Sequence, residues 1–261
     1  MKRRAGWLIG LGILALLAFA LATLPATVVS RPLAKAGLTA IGYGGSVWSG
    51  TARGLAWKDA ALGDLAWSLR PVRLLSGRLA GHARLARPDG SVDTDFEVTL
   101  GADEVRLDDL QFGLPLEALN ALPLGVPKGW RGRAAGTFEE ARLVDGRPVA
   151  LRGSLDLDGL VAPPPRNAPL GGFRAVFPHP QPQASLSVAD DPGNLTAQVT
   201  DKTDGPFAVN AQLTVDAARM FSLEGTVAPR GPVPPAMEQS LQLLGPADAA
   251  GRRQFSVGGT L

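Results

Sequence analysis

From residue 77 to the end, the apolar residues recur every second position rather than every three or four. Period two places alternate side chains on opposite faces of an extended strand, so it specifies half-buried antiparallel sheet and argues against a helical fold. In residues 91–100, Val92, Thr94, Phe96, Val98 and Leu100 share one face, and Asp93, Asp95, Glu97 and Thr99 the other. Residues 77–85 divide likewise, with Leu79, Gly81, Ala83 and Leu85 opposite Arg78, Ala80, His82 and Arg84. The pattern returns at residues 130–138, 155–158, 197–200, 207–215, 221–227 and 255–261. Asp89-Gly90, Asp145-Gly146 and Asp204-Gly205 are hairpin-type turn signals.

Composition supports this expectation. Gly (32) and Pro (22) make up about a fifth of the 261 residues, and both interrupt helices. Helical signal is confined to residues 114–122 and to residues 235–244, where Met237, Leu241 and Leu244 line one face and Gly245 can close the end. The expected fold is mainly β: an antiparallel, curved, open sheet with one or two short helices. Small residues on the inner face, such as Gly81, Ala83, Gly132 and Ala134, suit tight curvature. Leu55-Ala56-Trp57 recurs as Leu65-Ala66-Trp67, a loose repeat in keeping with stacked strands. Residues 161–182 carry seven prolines, which cannot donate to a sheet ladder. They read as a linker or exposed loop between two β-rich halves, residues 31–160 and 183–261.

The N-terminus has a different character. Lys2, Arg3 and Arg4 precede residues 5–24, an apolar run without a charge. Twenty residues at helical rise span about 30 Å, the thickness of a hydrocarbon core. By the positive-inside rule, residues 1–4 form a cytoplasmic tail, residues 5–24 a transmembrane helix, and the rest lies across the membrane. The competing reading is a cleaved signal peptide, with Ala20-Leu21-Ala22 or Ala26 near the cleavage point, but the run exceeds the usual ~7–15-residue apolar core. Either reading places the bulk outside the cytoplasm. With no Cys, it folds there without disulfides.

No constellation for catalysis emerges. Absence of Cys excludes thiol nucleophiles and thiolate metal sites, and two His leave little for imidazole chemistry. His82 falls on an Arg-lined strand face and His179 in the Pro-rich stretch; both read as solvated. There is no Gly-x-Ser-x-Gly elbow and no phosphate-binding loop. Asp93, Asp95 and Glu97 read as a polar strand face rather than a cation site. Asp156-Leu157-Asp158-Gly159 lacks the remaining ligands of a calcium loop. Trp48, Trp57, Trp67 and Trp130 suit sheet packing better than a carbohydrate platform. The near-neutral balance, 26 basic against 24 acidic residues, gives no reason to expect nucleic acid. Catalytic, cofactor-binding and metal-binding residues are therefore all expected to be none, and the chain is expected not to be an enzyme. An exposed edge strand that pairs with another chain remains open.

Several motifs together resemble a known family. They are Leu24-Pro25-Ala26 after the apolar run, then Gly45-Ser46-Val47-Trp48-Ser49-Gly50-Thr51-Ala52. Leu62-Gly63-Asp64-Leu65-Ala66-Trp67-Ser68-Leu69-Arg70-Pro71 follows, running into Leu74-Leu75-Ser76-Gly77-Arg78-Leu79. The last are Leu241-Gln242-Leu243-Leu244-Gly245 and the final Gln254-Phe255-Ser256-Val257-Gly258-Gly259-Thr260-Leu261. This order resembles the type II secretion system protein N family, densely over residues 24–80 and elsewhere only as generic strands. The resemblance implies a single-pass protein of the cell inner membrane, N-terminus cytoplasmic and bulk periplasmic. It implies a non-catalytic scaffold in export of folded proteins across the outer membrane, with inner-membrane platform subunits and the outer-membrane secretin as partners. The family has no assigned catalytic residues to carry over. The alternative is a periplasmic lipid-handling protein resembling the AsmA or lipopolysaccharide-transport groups, with lipid in the sheet groove.

Overall fold

The computed structural model describes residues 23–58, 60–119, 129–164, 167–178, 194–216, 218, 220–232, 238 and 241–260. The expected membrane span, residues 5–24, lies almost wholly outside them. Among the described residues no helix is long and apolar enough to cross a membrane.

The chain forms two compact units, residues 1–88 and 89–261. In the first, a helical turn Ala26–Val29 leads into the short helix Ser30–Lys35. Five strands follow: β1 (Leu38–Thr39), β2 (Gly42–Gly45), β3 (Ser49–Trp57), β4 (Ala60–Leu69) and β5 (Arg78–Arg87). Strands β3, β4 and β5 pair antiparallel in order. Both β1 and β2 pair with the other edge of β3, from Leu38 opposite Trp57 to Gly45 opposite Gly50. The two Leu-Ala-Trp repeats thus sit on neighbouring strands but at opposite ends of the β3–β4 hairpin. The Trp67 indole donates to Val47 O at 2.8 Å, and Lys58 Nζ stands 4.5 Å from the Trp57 ring. These are packing roles, as expected for tryptophans on a sheet.

The second unit is an open antiparallel meander of nine strands, each paired only with its neighbours in sequence. They are β6 (Gly90–Thr99), β7 (Glu104–Pro115), β8 (Arg131–Val144), β9 (Arg147–Val161), β10 (Pro169–Phe177), β11 (Leu195–Asp201), β12 (Phe207–Val215), β13 (Met220–Pro229) and β14 (Arg253–Thr260). The two-residue β8–β9 connection and the short β6–β7, β11–β12 and β12–β13 connections return the chain beside the strand it left, as hairpins do. Asp145 and Gly146 both have positive φ, 53° and 69°, the signature of a type I′ turn between β8 and β9.

Directly opposed residues of antiparallel strands share a face. One row across the sheet runs Phe112, Gly136, Leu155, Ala175, Val199, Ala211, Gly225, Phe255. A second runs Leu110, Phe138, Gly153, Phe177. Small residues recur between large ones, so that Phe112 and Leu155 flank Gly136, and Phe138 and Phe177 flank Gly153. Phe138, Phe177 and Ala197 form the buried centre, with Leu110, Phe112, Leu151, Leu155, Ala175 and Leu213 packed around it. Elsewhere on the face burial is partial; among the described residues no large side chain is fully buried.

Three features depart from the pattern read from sequence. Within residues 161–182, Pro169–Phe177 is a paired strand. Six of the seven prolines lie outside it and Pro169 is its first residue, a position where a missing N–H costs no ladder bond. The division into compact units falls at residue 88, not in that stretch. Strand β7 was hidden by a phase break: Asp109 has φ 51°, and the pairing of β6 with β7 shifts between Asp93 and Asp95. Leu107 and Leu110 are consequently three apart, although period two rules on either side. Of the two expected helices, the one within residues 114–122 forms at Leu116–Leu119, since Leu114 and Pro115 end β7 and residues 120–122 lie outside the described set. In the other, Leu241 and Gln242 are helical and Gly245 N–H bonds to Gln242 O, while residues 233–237, 239 and 240 lie outside the described set.

Candidate functional site

The polar face of the second unit is laced with ion pairs. Arg106 meets Asp108 at 2.9 Å and Glu140 at 3.6 Å, and Arg142 meets Glu104 at 3.4 Å. Asp156 on β9 receives Arg174 from β10 through two hydrogen bonds, 2.7 and 3.0 Å. Lys202, just past β11, spans Asp156 at 3.3 Å and Asp158 at 2.6 Å. The Arg174 hydrogen bond holds the Asp156 carboxyl below its ordinary range, with Lys202 adding to it against the opposing effect of burial. Arg174 and Lys202 are correspondingly raised by those carboxylates. Exposed pairs of this kind are screened by solvent and add little net stability, so they favour one register rather than store stability.

Asp201, at the end of β11, is more enclosed. Burial alone would raise its pKa. The backbone N–H groups of Val209 (2.7 Å) and Thr203 (2.9 Å), with Arg230, outweigh burial and hold it lowered. Asp248 is lowered too, by the N–H groups of Arg252 and Ala250 and by the Arg252 guanidinium at 2.9 Å. These three carboxylates are held ionised, the opposite of a proton carrier poised near neutral pH.

The residues singled out from sequence do not converge. His82 is half-buried on β5 opposite Ser68, and His179 lies outside the described residues. Asp93, Asp95 and Glu97 sit along β6. Among the described residues no group of three or more His, Asp or Glu is arranged to hold a metal ion. Asp103, Glu104 and Asp145 line a cleft at the β6–β7 and β8–β9 turns, where Glu104 is already paired with Arg142. Trp130 stands just before β8.

Two surface features were missed. First, the helical turn Pro71–Ser76 between β4 and β5 presents Val72 (75% exposed) and Leu75 (90% exposed) to solvent. Its signal was the local sequence Pro-Val-Arg-Leu-Leu-Ser-Gly, a turn with three aliphatic residues, of which Leu74 is half-buried. Second, charge is divided between the units. Residues 1–88 hold 12 of the 26 basic residues and two of the 24 acidic ones, whereas residues 89–261 hold 14 and 22. The near-neutral total conceals a basic unit of net +10 and an acidic unit of net −8. The features that stand out are therefore surfaces: an incompletely buried apolar sheet face, an ion-paired polar face and a basic unit with an exposed apolar turn.

Comparison with known proteins agrees with the motif order. The family model described as type II secretion system (T2SS), protein N, matches residues 36–256. A type II secretion system protein N of Vibrio cholerae serotype O1 is 27% identical over 242 residues, covering 91% of both chains. Its counterpart in Aeromonas hydrophila is 27% identical over 247 residues, covering 92% of both. No solved structure matches the chain. With its model matched from just after the helix Ser30–Lys35 into β14, this chain belongs to the type II secretion system protein N family.

Proposed function

We propose that the protein is a non-catalytic scaffold of the type II secretion system, anchored in the inner membrane by residues 5–24 with the bulk in the periplasm. The family match over residues 36–256 carries this reading. The basic start and the uncharged apolar run supply the anchor and its orientation. Confinement to a membrane surface raises the effective concentration of partners that share it, which is how a scaffold without chemistry speeds assembly. The partners in this reading are the inner-membrane platform subunits and the secretin. The test is deletion of the gene in its native cell, followed by assay of type II substrates in the medium and co-purification of platform subunits and secretin with the tagged chain. Loss of export and specific recovery of those partners are expected. Unchanged export together with unchanged assembly of the machine would overturn the reading.

A second reading, lipid handling, draws on one observation: the apolar row from Phe112 to Phe255 is only partly buried among the described residues. An acyl chain lying along that face would complete the burial the sheet does not provide for itself. Mass spectrometry of gently extracted protein is the test, and protein free of stoichiometric lipid would count against it.

A further inference from the structure

Resting on the anchoring reading, we propose that the Pro71–Ser76 turn is a second point of membrane contact. Val72 and Leu75 enter the interfacial layer of the bilayer, and Arg70, Arg73 and Arg78 meet its anionic phosphates. Isolated exposed apolar residues are ordinary on soluble proteins, so exposure alone would carry nothing. Position and charge select the bilayer as the occupant.

The position follows from a chain of hydrogen bonds within the first unit. Leu24, the last residue of the apolar run, accepts from Val47 N–H at 2.9 Å, and Pro25 bridges to Ser46. The next residue, Trp48, accepts from Leu69 N–H at 2.6 Å, and the Trp67 indole bonds to Val47 O at 2.8 Å. Two residues after Leu69 the turn begins. Adding ladder spacings and chain steps, the Cα path from Leu24 to Pro71 is at most about 22 Å. The turn therefore stands at the end of the unit where the chain leaves the anchor, tied to it by backbone bonds rather than by a flexible tether.

Charge points the same way. Residues 65–78 hold three arginines and no carboxylate, and these three, Arg70, Arg73 and Arg78, flank or occupy the turn and are exposed. A cationic surface with two apolar side chains at its tip matches the interface of a bilayer with anionic lipid, where basic residues are attracted and apolar ones are buried below the phosphates. The β3–β4 turn at the other end of the hairpin lies about 25 Å away along β4, beyond the reach of that interface.

Because the chain has no Cys, single-cysteine probes are direct. The full-length Ser76→Cys protein, labelled with an environment-sensitive fluorophore, is reconstituted in vesicles of phosphatidylcholine with or without phosphatidylglycerol, each carrying acyl-chain nitroxide quenchers. Ala61→Cys, exposed at the far end of β4, is the control. Quenching at position 76 but not 61, strengthened by phosphatidylglycerol, is expected. Arg73→Gln should weaken the contact equilibrium about fivefold, and Val72→Asn with Leu75→Asn should abolish it. Both apolar positions are exposed, so these changes leave the core intact. Protein that floats with the vesicles while its position 76 stays in water overturns the contact and spares the anchor. Failure to float overturns the anchoring reading and the contact with it. Protection of position 76 only when platform subunits are added would assign the turn to a protein partner and overturn the proposal.

Discussion

Phe138 on β8 and Phe177 on β10 meet with ring centroids 6.0 Å apart and planes inclined at 48°, although strand β9 lies between them. They meet because the β9 residue opposed to both is Gly153. Phe112 extends the aromatic row from β7, 6.3 Å from Phe138 and nearly parallel to it. Three rings, on β7, β8 and β10, thus form a dense patch on an otherwise partly buried face.

Gly153→Ala should be costly out of proportion to one methyl group. Its φ is 150°, and a Cβ there would stand 2.2 Å from Thr137 O and 2.5 Å from the Phe138 Cα, both backbone atoms that cannot swing aside. A loss of about 2–3 kcal/mol is expected, read as a lowered urea midpoint in the detergent-solubilised protein. Met220→Ala, on a side chain 56% exposed, should stay within about 0.5 kcal/mol.

Asp201 sets an acid limit. Its folded pKa lies below the unfolded value, so the stability it contributes is complete above the unfolded carboxylate pKa of about 3.9 and is lost as pH falls through the lower folded value. Asp201→Asn should flatten the fall in unfolding midpoint below about pH 4. At neutral pH the variant should cost about 1–3 kcal/mol, because the side chain is buried against Arg230 and two N–H groups. An acid branch identical to that of the parent would refute this role.

Thr94 is the one buried polar residue among the described residues. Its hydroxyl lies 2.9 Å from Asp95 O and 3.2 Å from Asp108 O, beside the register shift between β6 and β7. Thr94→Val keeps the shape but strands those carbonyls, and should destabilise by about 1 kcal/mol. Hydrogen exchange should rise first at the amides flanking Asp109, and uniform acceleration across the sheet would argue against a local role.

Topology is checked with a cysteine at an exposed hairpin. Arg147→Cys, beside the β8–β9 turn, should react with a membrane-impermeant maleimide in cells whose outer membrane alone has been permeabilised. Labelling only after the inner membrane is breached would reverse the proposed orientation.

Most strands were legible because burial on a single face imposes period two directly on the chain. Residues 207–215 were read as a strand and form β12 with the same bounds, and the bounds of 221–227 and 255–261 fall within two residues of those of β13 and β14. β7 was not legible, since the Asp109 distortion breaks the period at its middle. β10 was hidden by proline density that in fact brackets it. Of the surface features, the ion pairs could not be read. Asp156, Arg174 and Lys202 are up to 46 positions apart in sequence and meet only through the β9–β10–β11 register. The charge division was present in the sequence, yet it had no meaning until residue 88 emerged as the boundary between units.

The sequence alone determined the class of fold, an antiparallel meander with few helices, because alternation and turn residues act over a few positions. It also placed the chain in its family, through motifs concentrated in residues 24–80. Tertiary structure decided which residues face one another across strands. Phe138 reaching Phe177 over Gly153, and Pro71–Ser76 standing beside the end of the apolar run, both depend on register. Register is a property of paired strands, and no single strand carries it.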